Sequence, residues 1–347
     1  MRVMIWNSAR GGMRSVVDAY RRDGFIEREN VRLIAAYCDG GFLRRQIVLL
    51  AALVEFAWLL ATRRIELVHI HAAMRGSFWR KHLFASLART FRVPVILHLH
   101  GSEMRQFYEA QRPQVQHLIR RNLEKSDRVL VLSESWRSFI ERIAPAARIT
   151  VVPNYVTVPA RPAADGRDGA EVLFLGLVGP RKGTFDLIEA FAGVAARHPA
   201  ARLTVGGNGE VEKAATLVGE RGLGAQVSLA GWVDGEGKTR LLERSSIYAL
   251  PSYNEGLPMS VLEAMAAELA VVTTRVGGIP ELITDGVDGL LLEPGDKQGL
   301  EASLDLLLGD GERRRAIAAA GRRRVETTYS DEVVLPLLHR IYAEVAR

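Results

Sequence analysis

The stretch "FLGLVGPRKGTFDLIEAF" (Phe174–Phe191) decides how this chain folds. It begins inside an apolar, β-prone run, "EVLFLG", passes Gly176, Gly179 and Gly183, and ends on apolar residues at helical spacing. A strand that feeds a helix through a glycine-rich turn is the opening unit of a doubly wound α/β sheet. Arg181 and Lys182 stand just before the helix, whose first N–H groups have no intrahelical partners. Such a turn has the physics of a phosphate site. It is not a Walker loop, because the spacing and the Lys-Ser/Thr end are missing.

Outward from this turn the same plan repeats. After it come the runs "ARLTVGG", "QVSLAGWV", "SIYALPS", "AVVTTRV" and "GLLLE"; before it come "RVMIW", "VRLIAAY", "ELVHIHA", "PVILHLH", "DRVLVLS" and "RITVVP". Near-continuous apolar runs fit parallel strands covered on both faces. The segments between them, such as Gly41–Arg64 and Arg75–Phe91, have the length of crossover helices. "PARPAADGRDGA" (Pro159–Ala170) lacks apolar periodicity and reads as a linker. The sequence therefore predicts two α/β domains, residues 1–158 and 171–329, facing each other across a cleft at the carboxyl ends of their strands. An amphipathic helix over about 330–347, with Ser330 as its N-cap, is expected to pack back on the first domain.

At 347 residues the chain exceeds one core. A single cysteine, Cys38, forbids an internal disulfide and fits a reducing compartment. The apolar run at the start is too short for a signal peptide, and the longest one, Ile47–Ala61, is short of a membrane span and broken by Glu55. Residues 1–160 carry 25 Lys and Arg against 13 Asp and Glu, and the remaining 21 and 27 follow. A basic first half suggests a polyanion, either nucleic acid or an anionic membrane face, or else a merely solvated surface.

A second motif, "YNEGLPMSVLEAMA" (Tyr253–Ala266), spaces Glu255 and Glu263 by seven residues. The first lies in a loop and the second on a helix expected to start near Leu257, with Pro258 in its first turn. On spacing alone, Glu255 reads as a cap and Glu263 as a solvated carboxylate; Glu263 could also accept hydrogen bonds from vicinal hydroxyls. "IWNSARGGM" (Ile5–Met13) gives a further strand–loop–helix junction at Gly11 and Gly12. "VILHLHGSEM" (Val95–Met104) puts His98 and His100 on one strand face, with His100 last before Gly101.

Taken together, these motifs resemble glycosyltransferase family 4, the retaining nucleotide-sugar transferases with two Rossmann-like domains (the GT-B fold), over nearly the whole chain. "VTTRVGGIPELITDGVDGLLLEPGD" (Val272–Asp296) adds to the match. The resemblance implies that Glu263 binds the ribose and that Glu255 lies near the donor sugar. It implies that Gly256, Leu257 and Met259 line sugar and pyrophosphate, that Lys182 is the pyrophosphate cation, that His100 contacts the sugar and that Gly12 lies near the donor phosphate. The family pattern has an arginine where this chain has Leu177, and Arg181 is the candidate to replace it. The catalytic set is then His100, Glu255 and Lys182, with Gly12, Arg181, Lys182, Gly256, Leu257, Met259 and Glu263 binding the donor. No metal-ligand cluster is legible, and no cofactor is required beyond the nucleotide-sugar substrate.

The implied reaction moves a hexosyl unit from a UDP- or GDP-sugar to an acceptor, of which a lipid-linked saccharide of bacterial surface polysaccharides is the favoured kind. Two basic, aromatic segments, Gly41–Arg64 and Arg75–Arg92, are candidates to lie on an anionic bilayer through Trp58, Phe78 or Trp79, with Arg75, Arg80 and Lys81 supplying charge. The expected place is cytoplasmic, peripheral on the inner membrane face. A nucleotide-sugar epimerase or a phosphorylase on the same fold, a binding-only relative, and a basic nucleic-acid-binding protein are the competing readings, although no nucleic-acid-binding module is recognisable.

Overall fold

In the computed structural model, which describes residues 1–9, 11–160, 167 and 169–346, the apolar runs become strands that all pair in parallel. β1 (Arg2–Trp6), β2 (Val31–Ala35), β3 (Leu67–Ala72), β4 (Val95–Leu99), β5 (Arg128–Val131) and β6 (Ile149–Val151) form one sheet in the order β2-β1-β3-β4-β5-β6. β7 (Glu171–Leu175), β8 (Arg202–Gly206), β9 (Val227–Gly231), β10 (Ile247–Leu250), β11 (Ala270–Thr274) and β12 (Leu290–Leu292) form the second, β12-β11-β10-β7-β8-β9. Helices cross over between them, so central strands such as β3, β4, β10 and β11 are buried at every residue. The strand order reverses between β1 and β3 in the first sheet and between β7 and β10 in the second. In doubly wound sheets such switch points are where ligands bind.

The chain divides into two compact units, Met1–Tyr155 with Asp331–Arg347, and Val156–Ser330. Residues just after Tyr155 go with the second unit because Val156 N donates to Tyr329 O (3.0 Å) and Arg322 Nη2 to Pro159 O (2.7 Å). The linker expected over Pro159–Ala170 falls mainly on residues 161–166 and 168, outside the described residues. The helix Asp331–Val345 closes the first unit: Tyr342 is buried against Phe25, and Glu344 accepts from Arg128 (3.0 Å). Ser330 precedes this helix, but its hydroxyl donates backwards to Glu326 O (3.0 Å).

Two helices of the first unit differ sharply. In Gly76–Thr90, Phe78, Lys81, Phe84, Ala85 and Ala88 face the core. Lys81 is fully buried and donates to Trp6 O (2.8 Å) and Asn7 Oδ1 (2.9 Å), so it anchors the loop after β1. Burial drives its pKa well below the usual lysine value. Neither Phe78 nor Lys81 can meet a membrane, which corrects the expectation for that segment. Helix Phe42–Ala61 turns Ala52, Phe56, Leu59 and Leu60 to the core and leaves a line of large apolar side chains in solvent.

Candidate active site

The second switch point is built by two loops that cross. After β7, Pro180–Lys182 forms one 3₁₀ turn, and Gly183 follows at φ +68°. A side chain at Gly183 would put its Cβ 2.0 Å from the Pro251 carbonyl oxygen, so only glycine permits the crossing. The close approach lets Tyr253 N donate to Arg181 O (2.9 Å) and Arg181 Nη1 to Asn254 O (3.2 Å). It also places Lys182 Nζ 2.5 Å from Glu255 Oε1, with both side chains largely buried (13 % and 7 % exposed). Ser252 Oγ donates to the same oxygen (2.6 Å).

The other side of the Glu255 loop is held by the turn after β11. Gly277 sits at φ +58°, where a Cβ would lie 1.9 Å from Glu255 O, and Gly278 N donates to Gly256 O (2.7 Å). Thr274 Oγ1 donates to Ser252 O (2.5 Å). Glu255 is thus fixed from both flanks before any ligand arrives. Such preorganisation is what electrostatic catalysis needs.

The helix after this loop is Met259–Ala266, with Pro258 as an extended N-cap rather than a first-turn residue. This corrects the expected start near Leu257, which is buried ahead of the helix. The amides of Met259 and Ser260 open the helix, and their dipole end suits an anion. Glu263, one turn further, is half-buried and accepts from Lys238 Nζ (2.6 Å), a residue of the helix Gly235–Arg244. Nothing in the sequence pattern had marked Lys238. The loops after β7 and β8 and the end of β9 are tied to one another, Val178 N donating to Asn208 O (2.7 Å) and Gly207 N to Gly231 O (2.6 Å). Leu177 is 47 % exposed, and Arg181, besides holding Asn254, lines a 330 Å³ recess with Pro180, Phe185, Asp186 and Tyr253.

The second unit therefore carries Arg181, Lys182, Glu255, Gly256, Leu257, Met259 and Glu263 on two of its own loops and the helix Met259–Ala266. Gly12 and His100 belong to the other unit. Gly12 is the first residue of the helix Gly12–Arg22, and His100 follows β4 directly. His100 is half-buried, and its Nε2 lies 2.8 Å from His71 Nδ1. Its Nδ1 has no hydrogen-bond partner among the described residues.

His71 and His98 are register partners on β3 and β4, so four imidazoles stack on one sheet face. His69 bonds His98 (3.2 Å) and the Tyr342 hydroxyl (2.7 Å). Burial lowers the pKa of His69 and of His100 to about 3, and those of His71 and His98 well below the ordinary value. Nitrogens of His69, His71 and His98 come within 4.8 Å of one another, a set able to hold a metal ion. The sequence reading expected no such cluster. The missed signal was the paired alternation "HIH" and "HLH" on two strands that neighbour one another.

Comparison with known proteins gives the family and the fold. The family described as "Glycosyl transferases group 1" matches residues 161–324, and the one described as "Glycosyl transferase 4-like domain" matches residues 8–155. The chain belongs to glycosyltransferase family 4. It is 27 % identical over 301 residues to a glycogen synthase of Mycobacterium tuberculosis, covering 82 % of this chain and 70 % of that protein. The sucrose-phosphate synthase of Thermosynechococcus elongatus superposes with a TM-score of 0.81 at 21 % identity, covering 99 % of both chains. Anabaena HepE, solved in complex with UDP, gives a TM-score of 0.78 at 16 % identity, covering 99 % of this chain and 100 % of that one. The two sheets are the Rossmann-like domains of a GT-B glycosyltransferase.

Proposed function

We propose that this glycosyltransferase moves a hexosyl unit, with retention of anomeric configuration, from a UDP- or GDP-sugar to a lipid-linked saccharide in surface-polysaccharide synthesis. The Lys182–Glu255 pair at the β7/β10 switch point, beside the helix opened by Met259, carries this reading. Breaking the sugar–phosphate bond puts negative charge on the leaving diphosphate. Lys182 Nζ and the helix-opening amides are fixed positive ends that meet that charge without reorganising. Arg181 adds charge at longer reach.

Glu255 orients the sugar hydroxyls and tolerates positive charge developing at the anomeric carbon. Glu263 accepts from the ribose hydroxyls, with Lys238 Nζ as its other partner at 2.6 Å. In the other domain, Gly12 leaves room for the donor phosphate, and His100, neutral at any physiological pH, offers a ring nitrogen to a sugar hydroxyl. Glu255 and Glu263 lie on one loop and the helix that follows it, and this reading invokes no double displacement through two opposed carboxylates. The family resemblance favours a front-face path in which the leaving phosphate oxygen takes the acceptor proton.

We place the enzyme in the cytoplasm, peripheral on the inner membrane face where a lipid-linked acceptor would lie. No helix among the described residues is long and apolar enough to cross a membrane. The decisive experiment is a thermal-shift panel of nucleoside diphosphates and nucleotide sugars, followed by anomeric analysis of the product by NMR. Stabilisation by one nucleotide class alone, with the donor's configuration kept, supports the reading; indifference to every nucleotide sinks it.

A narrower test concerns Glu263. Glu263→Ala is expected to weaken nucleotide binding by about 1.5–3 kcal/mol, the worth of hydrogen bonds to a charged group. Because ribose binding is present in ground and transition states alike, KM for the donor should rise more than kcat falls. Unchanged affinity by titration calorimetry in a folded variant would contradict the ribose role.

A further inference from the structure

The helix Phe42–Ala61 has two apolar faces. One, with Ala52, Phe56, Leu59 and Leu60, is buried against the first domain. The other carries Leu43, Ile47, Leu50, Val54 and Trp58 at three- and four-residue steps, and with Phe42 these side chains are 53 % to 78 % exposed. Ile47, Leu50, Ala51, Val54 and Trp58 line a 630 Å³ groove with Glu55. Large apolar side chains scattered singly on a surface need no explanation; a continuous line of them does.

The charges around this line say what covers it. Arg44 is exposed at one end, and Arg63 and Arg64 at the other. The Arg64 guanidinium lies 4.9 Å from the centre of the Trp58 ring. Glu55, the helix's one acid, is neutralised by Arg32 at 2.8 Å. An apolar ridge with cations at both ends and no free acid along it suits an anionic bilayer surface. A second copy of the chain fits poorly. A two-fold pairing of antiparallel helices sets Arg44 of one against Arg63 and Arg64 of the other, and a parallel pairing sets each against itself. The helix cannot cross the membrane, because its other face is already packed on the protein.

We propose that the Leu43–Trp58 face of this helix lies in the interface of an anionic membrane, parallel to its plane, and docks the enzyme there. This rests on the reading that the acceptor is membrane-borne, and it names the surface that meets the bilayer. The segment Arg75–Arg92 does not share this role, since Phe78 and Lys81 are in the core.

The test is sedimentation of the full chain with vesicles of phosphatidylcholine, with and without phosphatidylglycerol. Wild type should pellet with the anionic vesicles, and subtracting the emission of Trp58→Phe should show Trp58 moving to an apolar environment. Leu50→Asn with Val54→Asn should lower partitioning by about a hundredfold, since two exposed side chains lose their apolar burial. Both positions are in solvent, so the variant keeps its fold and its turnover on a water-soluble acceptor. Arg44→Ser with Arg63→Ser should erase the preference for anionic vesicles.

Equal partitioning of wild type and the Leu50/Val54 variant would overturn the proposal. So would a wild-type dimer in sedimentation equilibrium that the variant splits while neither binds vesicles. Transfer that fails on every acceptor while vesicle binding follows the expected pattern overturns the acceptor reading alone and leaves the docking surface in place.

Discussion

Lys182→Ala is expected to lower kcat/KM by roughly a hundredfold to a thousandfold, about 3–4 kcal/mol of lost transition-state stabilisation. Two losses combine. The diphosphate leaves without its nearest fixed cation. Glu255, buried and 2.5 Å from Lys182 Nζ, is left with Ser252 Oγ at the same oxygen and no counter-charge, so it also repels the anion. A further consequence separates the two. Adding Glu255→Gln to Lys182→Ala should cost less than the product of the single effects, because the repulsion disappears with the carboxylate. Arg181→Ala should cost less than Lys182→Ala, its guanidinium being turned to Asn254 O. Single-turnover assays on variants with native melting curves check this. Wild-type turnover by Lys182→Ala would remove Lys182 from the diphosphate site.

The alternation of strand and helix was legible because parallel strands buried on both faces leave long apolar runs, and the glycine turns mark the joints. Glu255 and Lys182 could be picked out one by one, but not their contact. They are 73 positions apart, and their meeting depends on Gly183 letting two loops cross. Lys238 was invisible for a similar reason. It is an ordinary lysine on a polar helix until the fold puts it 2.6 Å from Glu263.

Charge misled in the first domain. Within "RGSFWRKH" a lysine reads as a surface cation, yet Lys81 shares the face of Phe78, Ala85 and Ala88 and goes inside with them. The opposite error concerns Phe42–Ala61. Its apolar residues lie all round, so periodicity could not tell which half the sheet would cover and which would stay in solvent.

The histidine cluster sets an acid limit on the first domain. In the unfolded chain a histidine takes up its proton near pH 6.5, whereas His69 and His100 hold off until about pH 3 because burial penalises the charged ring. Between those values the unfolded state binds more protons than the folded one. Stability therefore falls as the pH falls, and it is fully present only above about pH 6.5. Each histidine contributes a slope of about 1.4 kcal/mol per pH unit, so these two alone remove about 4 kcal/mol by pH 5. His71 and His98 are shifted in the same direction and steepen the loss. A domain's whole stability is about 5–15 kcal/mol, so a marked loss of the first domain's stability on acidification is the expected result. Calorimetry between pH 7 and pH 5 should show its melting temperature dropping steeply. His69→Asn should flatten that dependence, by removing one of the rings that cannot be charged in place. A melting temperature that stays level across this range would mean that the four rings accept protons within the fold, against what their burial and mutual bonding imply.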